Sequence, residues 1–368
     1  MTGKERKVKR EQNKSKNQKI ILILFALSFL FFVLAKLLPL GKGDAAKEEM
    51  LNASRIMEEA MGVLKECSRE KDLILDKTSD LNQTGLIGME LSLITTSLGS
   101  LEAKRTTTNP NFAALVVFLL KEAGIKRGDT IAVGASGSFP ALIVAVLSAS
   151  KSMNLRPLLI CSLGASQWGA SNPDFHWLDM QNCLLKAGVL GAEFVGLSLG
   201  GEKDVGEDMS SEGCSLLRKD ILKSGIFFLQ EPDLRRNVKA RMHFYEERAG
   251  EDKIKAFVNI GGNWPNMGED PEVLKLKPGL VKIRQFPPVG KRGVLYEMAA
   301  RKVPVVHLLY IKGLVRQYGL EWDPVPIPHV GQGKIYQFVR EKQPAFLILS
   351  AVYFLLVIFS LIFRNKLA

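Results

Sequence analysis

Residues 130–142 read TIAVGASGSFPAL, and this stretch decides the fold. The apolar run Thr130–Val133 predicts a short strand. Gly134–Ser138 predicts a tight loop, and Phe139–Ala149 returns to helical composition. Pro140 falls in the first helical turn, where its missing N–H costs no hydrogen bond. Ser138 is placed to cap that helix.

The same alternation spreads outward in both directions. Upstream, Phe112–Ala123 predicts a helix closed by Gly124, and 126–129 (KRGD) a turn. Downstream, strands are expected at Leu158–Ser162, Phe194–Leu197, Ile226–Phe228, Ala256–Ile260 and Val303–Tyr310. Helices are expected from Asp179 to Lys186 and from Arg292 to Ala300. Short apolar runs alternating with helices predict an α/β domain with a mostly parallel sheet. Continuous rather than alternating apolar strands predict a sheet covered on both faces, in a Rossmann-like three-layer arrangement.

The two ends of the chain read differently. Residues 20–40 (IILILFALSFLFFVLAKLLPL) hold one charge, Lys36, and residues 344–363 hold none. About 20 apolar residues cover a hydrocarbon core of about 30 Å. Each segment therefore predicts a transmembrane helix. A cleaved signal peptide fits the first segment less well, because its run is long and no A-x-A site follows. Residues 1–19 carry eight Lys/Arg against two acids, half of the net charge of +12. Arg364 and Lys366 follow the second segment. Cations mark the cytoplasmic side, so both termini are expected there, with residues 41–343 extracytoplasmic.

The expected organisation is a basic tail (1–19), a span (20–40), a helical lead-in (41–109), the α/β domain (110–343), a second span (344–363) and a short tail (364–368). Between the spans the chain is only mildly basic, which removes the case for a nucleic-acid partner. Four cysteines, Cys67, Cys161, Cys183 and Cys214, form no C-x-x-C pair and have no histidine at metal-ligand spacing. No metal or cofactor is expected. Cys161 reads as a core residue, and a Cys183–Cys214 disulfide is open to a domain facing an oxidising compartment.

Three loops follow predicted strands and should share one sheet edge, where ligands bind in open α/β sheets. The first supplies Gly134, Ser136, Gly137 and Ser138, with amides suited to an anion or, alternatively, a Ser136 nucleophile. Its G-A-S-G-S differs from the G-x-S-x-G elbow. The second, 162–179, is too long and mixed for a mere connector. It supplies Ser166, Asn172, Asp174, His176 and Asp179, with Trp168 and Trp177. The third, after Ile260, supplies Gly261, Gly262 and Asn263. The Thr/Ser-rich run 95–110 adds Lys104 and Arg105, which suit a carboxylate ligand or a solvated turn. His307 lies in an apolar strand and reads as core, and His329 as surface. A triad of Ser136, Asp179 and either His176 or His329 can be written from these residues.

The run AVGASGSFPAL (132–142), with SLGASQWGASNPDFHWLD (162–179), TTTNP (106–110) and VNIGGNWPNMG (258–268), resembles the poly-gamma-glutamate system protein family. The resemblance spans most of residues 20–343, including the N-terminal apolar segment. It implies an accessory role in bacterial poly-γ-glutamate synthesis, export or surface retention, beside other membrane subunits of that machinery. It implies no catalytic residues. Two readings stand beside it: an anchored extracytoplasmic hydrolase or transferase using Ser136 and Asp179, and a small-molecule sensor or scaffold.

Overall fold

The computed structural model describes residues 18, 21–34, 36, 43–71, 73, 76–338 and 344–362. Ala46–Val339 form one compact unit, and the terminal segments form another. From Ala46 onward the helical lead-in expected at 41–109 belongs to the same unit as the α/β domain.

In chain order the elements are α1 (21–34), α2 (Gly43–Glu70), α3 (Leu101–Thr107), α4 (Asn111–Glu122), β1 (Thr130–Ser136), α5 (Pro140–Ser152), β2 (Arg156–Ser162), α6 (Trp177–Lys186), β3 (Glu193–Ser198), α7 (Ser211–Ser224), α8 (Leu234–Ala249), β4 (Ala256–Ile260), α9 (Trp264–Met267), β5 (Gly279–Val281), α10 (Val294–Ala300), β6 (Val305–Leu308), α11 (Ile311–Tyr318) and α12 (Pro344–Ile362). The sheet order is β3-β2-β1-β4-β6-β5. All pairs are parallel except β5 with β6.

Both faces of the sheet are covered, which is why its strands read as continuous apolar runs. Ile131, Val133 and Ala135 of β1, with Leu159, Val258 and Val306, face a core shared with α2, α4, α5, α6 and α11. Ala132 of β1, with Leu158, Ile160, Phe257 and Val305, faces the second core, built with α8 and α10. The three-layer expectation is met. Helix α5 is buried along nearly its whole length. It therefore lacks the polar stripe of a surface helix.

Several boundaries move. The run at 226–228 is not a strand of the sheet. It meets β3 through a single bridge, Leu197 to Phe228, in which Leu197 N–H donates to the Phe227 carbonyl and Leu229 N–H to the Leu197 carbonyl. The antiparallel edge strand β5 spans three residues, too short to leave a sequence pattern. Phe139, not Ser138, stands at the N-cap of α5, and it makes no side-chain cap.

The disulfide joins Cys67 of α2 to Cys183 of α6, so the expected Cys183–Cys214 pairing is corrected. Cys214 is free and donates to the Gly206 carbonyl, and Cys161 is free and buried. The closed loop spans 116 residues of sequence. Cys67→Ser, or reduction of the wild-type chain, is expected to lower stability by about 2–4 kcal/mol, read from urea melts.

Among the described residues no helix is long and apolar enough to cross a membrane. The expected spans at 20–40 and 344–363 are described in part, as α1 with residue 36 and as α12. Within that unit the two helices touch. Ser28 Oγ lies 2.8 Å from Tyr353 Oη, and the Phe31 and Tyr353 rings are 4.6 Å apart. Their apolar side chains are exposed, Phe25 by 71% and Leu355 by 65%. The expected tails at 1–19 and 364–368 lie outside the described residues, apart from residue 18.

Candidate functional site

Strand β1 is central, with β2 on one side and β4 on the other. The chain winds outward from β1 in opposite directions, so a crevice opens beyond the carboxyl ends of β1 and β4. This is the topological switch point where doubly wound sheets bind ligands. A cavity of about 870 Å³ occupies it.

Three of the predicted loops build its wall. Ser136 and Ser138 come from the end of β1, Ser162, Gly164 and Ser166 from the end of β2, and Gly262 and Asn263 from the end of β4. The loops are tied to one another. Gly137 N–H donates to the Ser162 carbonyl at 2.8 Å, and Ala170 N–H to the Gly137 carbonyl at 2.8 Å. Ser166 N–H donates to Ser138 Oγ at 2.9 Å, and Ser136 Oγ donates to the same oxygen at 2.9 Å. Asn263 Nδ2 donates to Ser162 Oγ at 2.8 Å. Gly261 adopts φ +79°, a left-handed turn that takes the chain off β4. Gly134 lies inside β1 and faces the Asn266 side chain rather than the cavity.

Gly169 marks the closest approach of the second loop to the first. A Cβ there would lie 2.8 Å from both Ser138 Cα and the Ser138 carbonyl oxygen. Gly169→Ala is expected to displace Ser138 and cost about 1–3 kcal/mol in a urea melt.

The segment 92–100 completes the rim. Thr96 N–H donates to the Ala165 carbonyl at 2.9 Å, and Gln167 N–H to the Ser97 carbonyl at 3.0 Å. Thr96, Ser97 and Ser100 thereby face the cavity. Trp264, Tyr310, Lys312 and Trp322 also line the cavity. Helices α5 and α11 both begin on the cavity wall, at Phe139 and Tyr310. The positive ends of their dipoles favour an anion there.

Lys104 is the decisive side chain. It is 3% exposed. Its Nζ donates to the Ser138 carbonyl and, at 2.8 Å, to Ser166 Oγ. It also sits 3.8 Å from the Phe139 ring centroid. Among the described residues it has no carboxylate partner, and burial pushes its ammonium down to about 7. Its neighbour Arg105 points away. It pairs with Asp323 in a two-pronged ion pair, with Nε 2.7 Å from Oδ1, and that hydrogen bonding raises its pKa. The two cations expected to act together are thus separated.

Asn172, Asp174 and Asp179 lie outside this cavity. Asn172 lines a second cavity of about 550 Å³. The Asp174 carbonyl accepts from Lys71 Nζ at 2.9 Å. Asp179 pairs with the same lysine at 2.8 Å and accepts from His176 N–H at 3.2 Å. His176 is buried with Nε2 3.1 Å from Asp220, and His329 lies on an outer loop. No described histidine lines the cavity. The triad of Ser136, Asp179 and His176 or His329 is therefore not assembled. His307 is the expected core histidine. Its Nδ1 accepts from Asn259 Nδ2 at 3.0 Å, and burial holds it down to about 4.

Fold and crevice together define a doubly wound α/β domain with a cavity at its switch point. No protein-family model matches the chain, and no curated protein matches it.

Proposed function

We propose that the chain is a membrane-anchored accessory component of a bacterial poly-γ-glutamate system. Its switch-point crevice holds a carboxylate-bearing chain or precursor and presents it to partner membrane subunits. The observation that carries this reading is the crevice itself. Two helix N-termini, a hydroxyl-rich wall and Lys312 converge there, and the loops that form it are those that carry the family resemblance. The cavity wall also bears Glu102 and Asp208. This mixed lining fits recognition of individual carboxylate units at fixed points better than adhesion of a polyanion to a basic surface.

The spans at 20–40 and 344–363 are part of the same proposal. Basic flanks, apolar helices and the Ser28–Tyr353 contact support two helices side by side in one bilayer. The Cys67–Cys183 disulfide supports an oxidising, extracytoplasmic location for the domain.

The test is binding of oligo-γ-glutamate to the full chain in detergent. Lys312→Glu is expected to weaken binding about tenfold or more, the loss of one charge-assisted contact. Binding should persist at moderate salt, because few charges are exchanged. No binding at low salt sinks polymer contact. Protease added to intact cells tests the topology, which requires the domain to be cut and both tails to be spared.

A further inference from the structure

We propose that Lys104 and Ser166 form a base–nucleophile pair, giving the crevice acyl-transfer chemistry on amides or esters. This goes beyond the binding role above and does not rest on it. The geometry is that of a serine nucleophile with a lysine base: Lys104 Nζ lies 2.8 Å from Ser166 Oγ. Both residues line the cavity, so a carbonyl carbon entering it can reach the hydroxyl.

The surroundings keep the pair in place. Ser166 is held by its own N–H on Ser138 Oγ. Lys104 is held by the Ser138 carbonyl and the Phe139 face. Among the described residues no carboxylate neutralises the amine, so burial favours its uncharged, basic form near neutral pH. Helix α5 starts on the same wall, with its positive end placed for a developing oxyanion.

The chemistry balances with water as the second substrate. Neutral Lys104 takes the Ser166 hydroxyl proton as Oγ bonds to the carbonyl carbon. The carbon–nitrogen or carbon–oxygen bond of the substrate then breaks, and the Lys104 proton passes to the departing amine or alcohol. An acyl-serine ester remains. Water attacks that ester and gives a proton to Lys104. The ester bond breaks, the proton returns to Ser166, and the carboxylic acid leaves. An amine acceptor in place of water makes the same cycle a transfer.

The test is labelling of the full chain, in detergent, with a fluorophosphonate at about pH 8. Ser166 Oγ would displace fluoride from phosphorus, with the proton taken by Lys104. One adduct is expected, mapped to Ser166 by peptide mass. Lys104→Met should slow it at least about 100-fold, the usual contribution of a general base. In the wild type the rate should rise through a midpoint near pH 7, where Lys104 loses its proton, and then level. Failure to label Ser166 in folded wild-type chain overturns the proposal, as does an equal rate in Lys104→Met. Should that variant not fold, a wild-type rate that stays flat from about pH 6 to pH 9 overturns it equally. Because the probe is not a polymer, these outcomes are independent of whether poly-γ-glutamate binds.

Discussion

Arg241→Ala is expected to destabilise the domain by about 3–5 kcal/mol, because it strands a buried carboxylate. Arg241 and Asp204 are both fully buried, with Nη2 2.6 Å from Oδ2. The pair sits in a network. Arg241 Nε donates to Asn237 Oδ1 at 2.8 Å, and Ser198 Oγ donates to Asp204 Oδ1 at 2.8 Å. It ties α8 to the turn after β3. The cost comes from leaving the buried Asp204 without its counter-charge, not from the pair's net worth. Arg241→Met combined with Asp204→Leu should therefore unfold at higher urea than Arg241→Ala. If the double variant is the less stable, the pair itself carries the energy.

Lys104→Met is expected to change stability in a pH-dependent way, opposite in sense to the loss of an ordinary surface lysine. In the unfolded chain Lys104 titrates near its ordinary 10.5, and in the fold burial brings it down to about 7. Between those values the unfolded chain binds more protons, so wild-type stability rises as pH climbs through that window. At and below about pH 7 the fold carries the full cost of burying the charge. Methionine removes that cost. The variant should thus gain on the wild type at about pH 6.5 and lose most of that gain by about pH 10, a swing of up to about 5 kcal/mol. The hydrogen bonds to Ser138 and Ser166 are lost at every pH and set a constant offset. Urea midpoints of both proteins across this range check the slope. A difference that does not vary with pH would mean that Lys104 keeps its ordinary proton affinity.

The sheet was legible because its strands are buried on both faces and are punctuated by glycine and serine. The same punctuation marked the crevice: Ser136, Ser138, Ser166 and Asn263 stand where strand ends must lie together. What could not be read depends on partners distant in sequence. Lys104 and Arg105 are adjacent, yet successive helical residues point in different directions. One turns into the crevice. The other meets Asp323, 218 residues away. Only the near half of the loop 162–179 reaches the cavity, while its far half caps α6, so Asn172, Asp174 and Asp179 fall elsewhere. Cys67 lies in a helix read as a lead-in, and nothing local joins it to Cys183. Lys312 and Trp322 come from ordinary-looking segments, and only the fold brings them to the cavity. The Thr/Ser-rich run before Lys104 was the one signal for the rim formed by Thr96, Ser97 and Ser100.

The claim that this crevice holds a carboxylate chain is tested most directly by zero-length cross-linking. Oligo-γ-glutamate bound to the full chain would be activated with a carbodiimide, and the resulting amides located by peptide mass. The account predicts a dominant linkage at Lys312 or Lys104, suppressed by excess unactivated oligomer. Linkages scattered over surface lysines outside the crevice, or none above background, would contradict it.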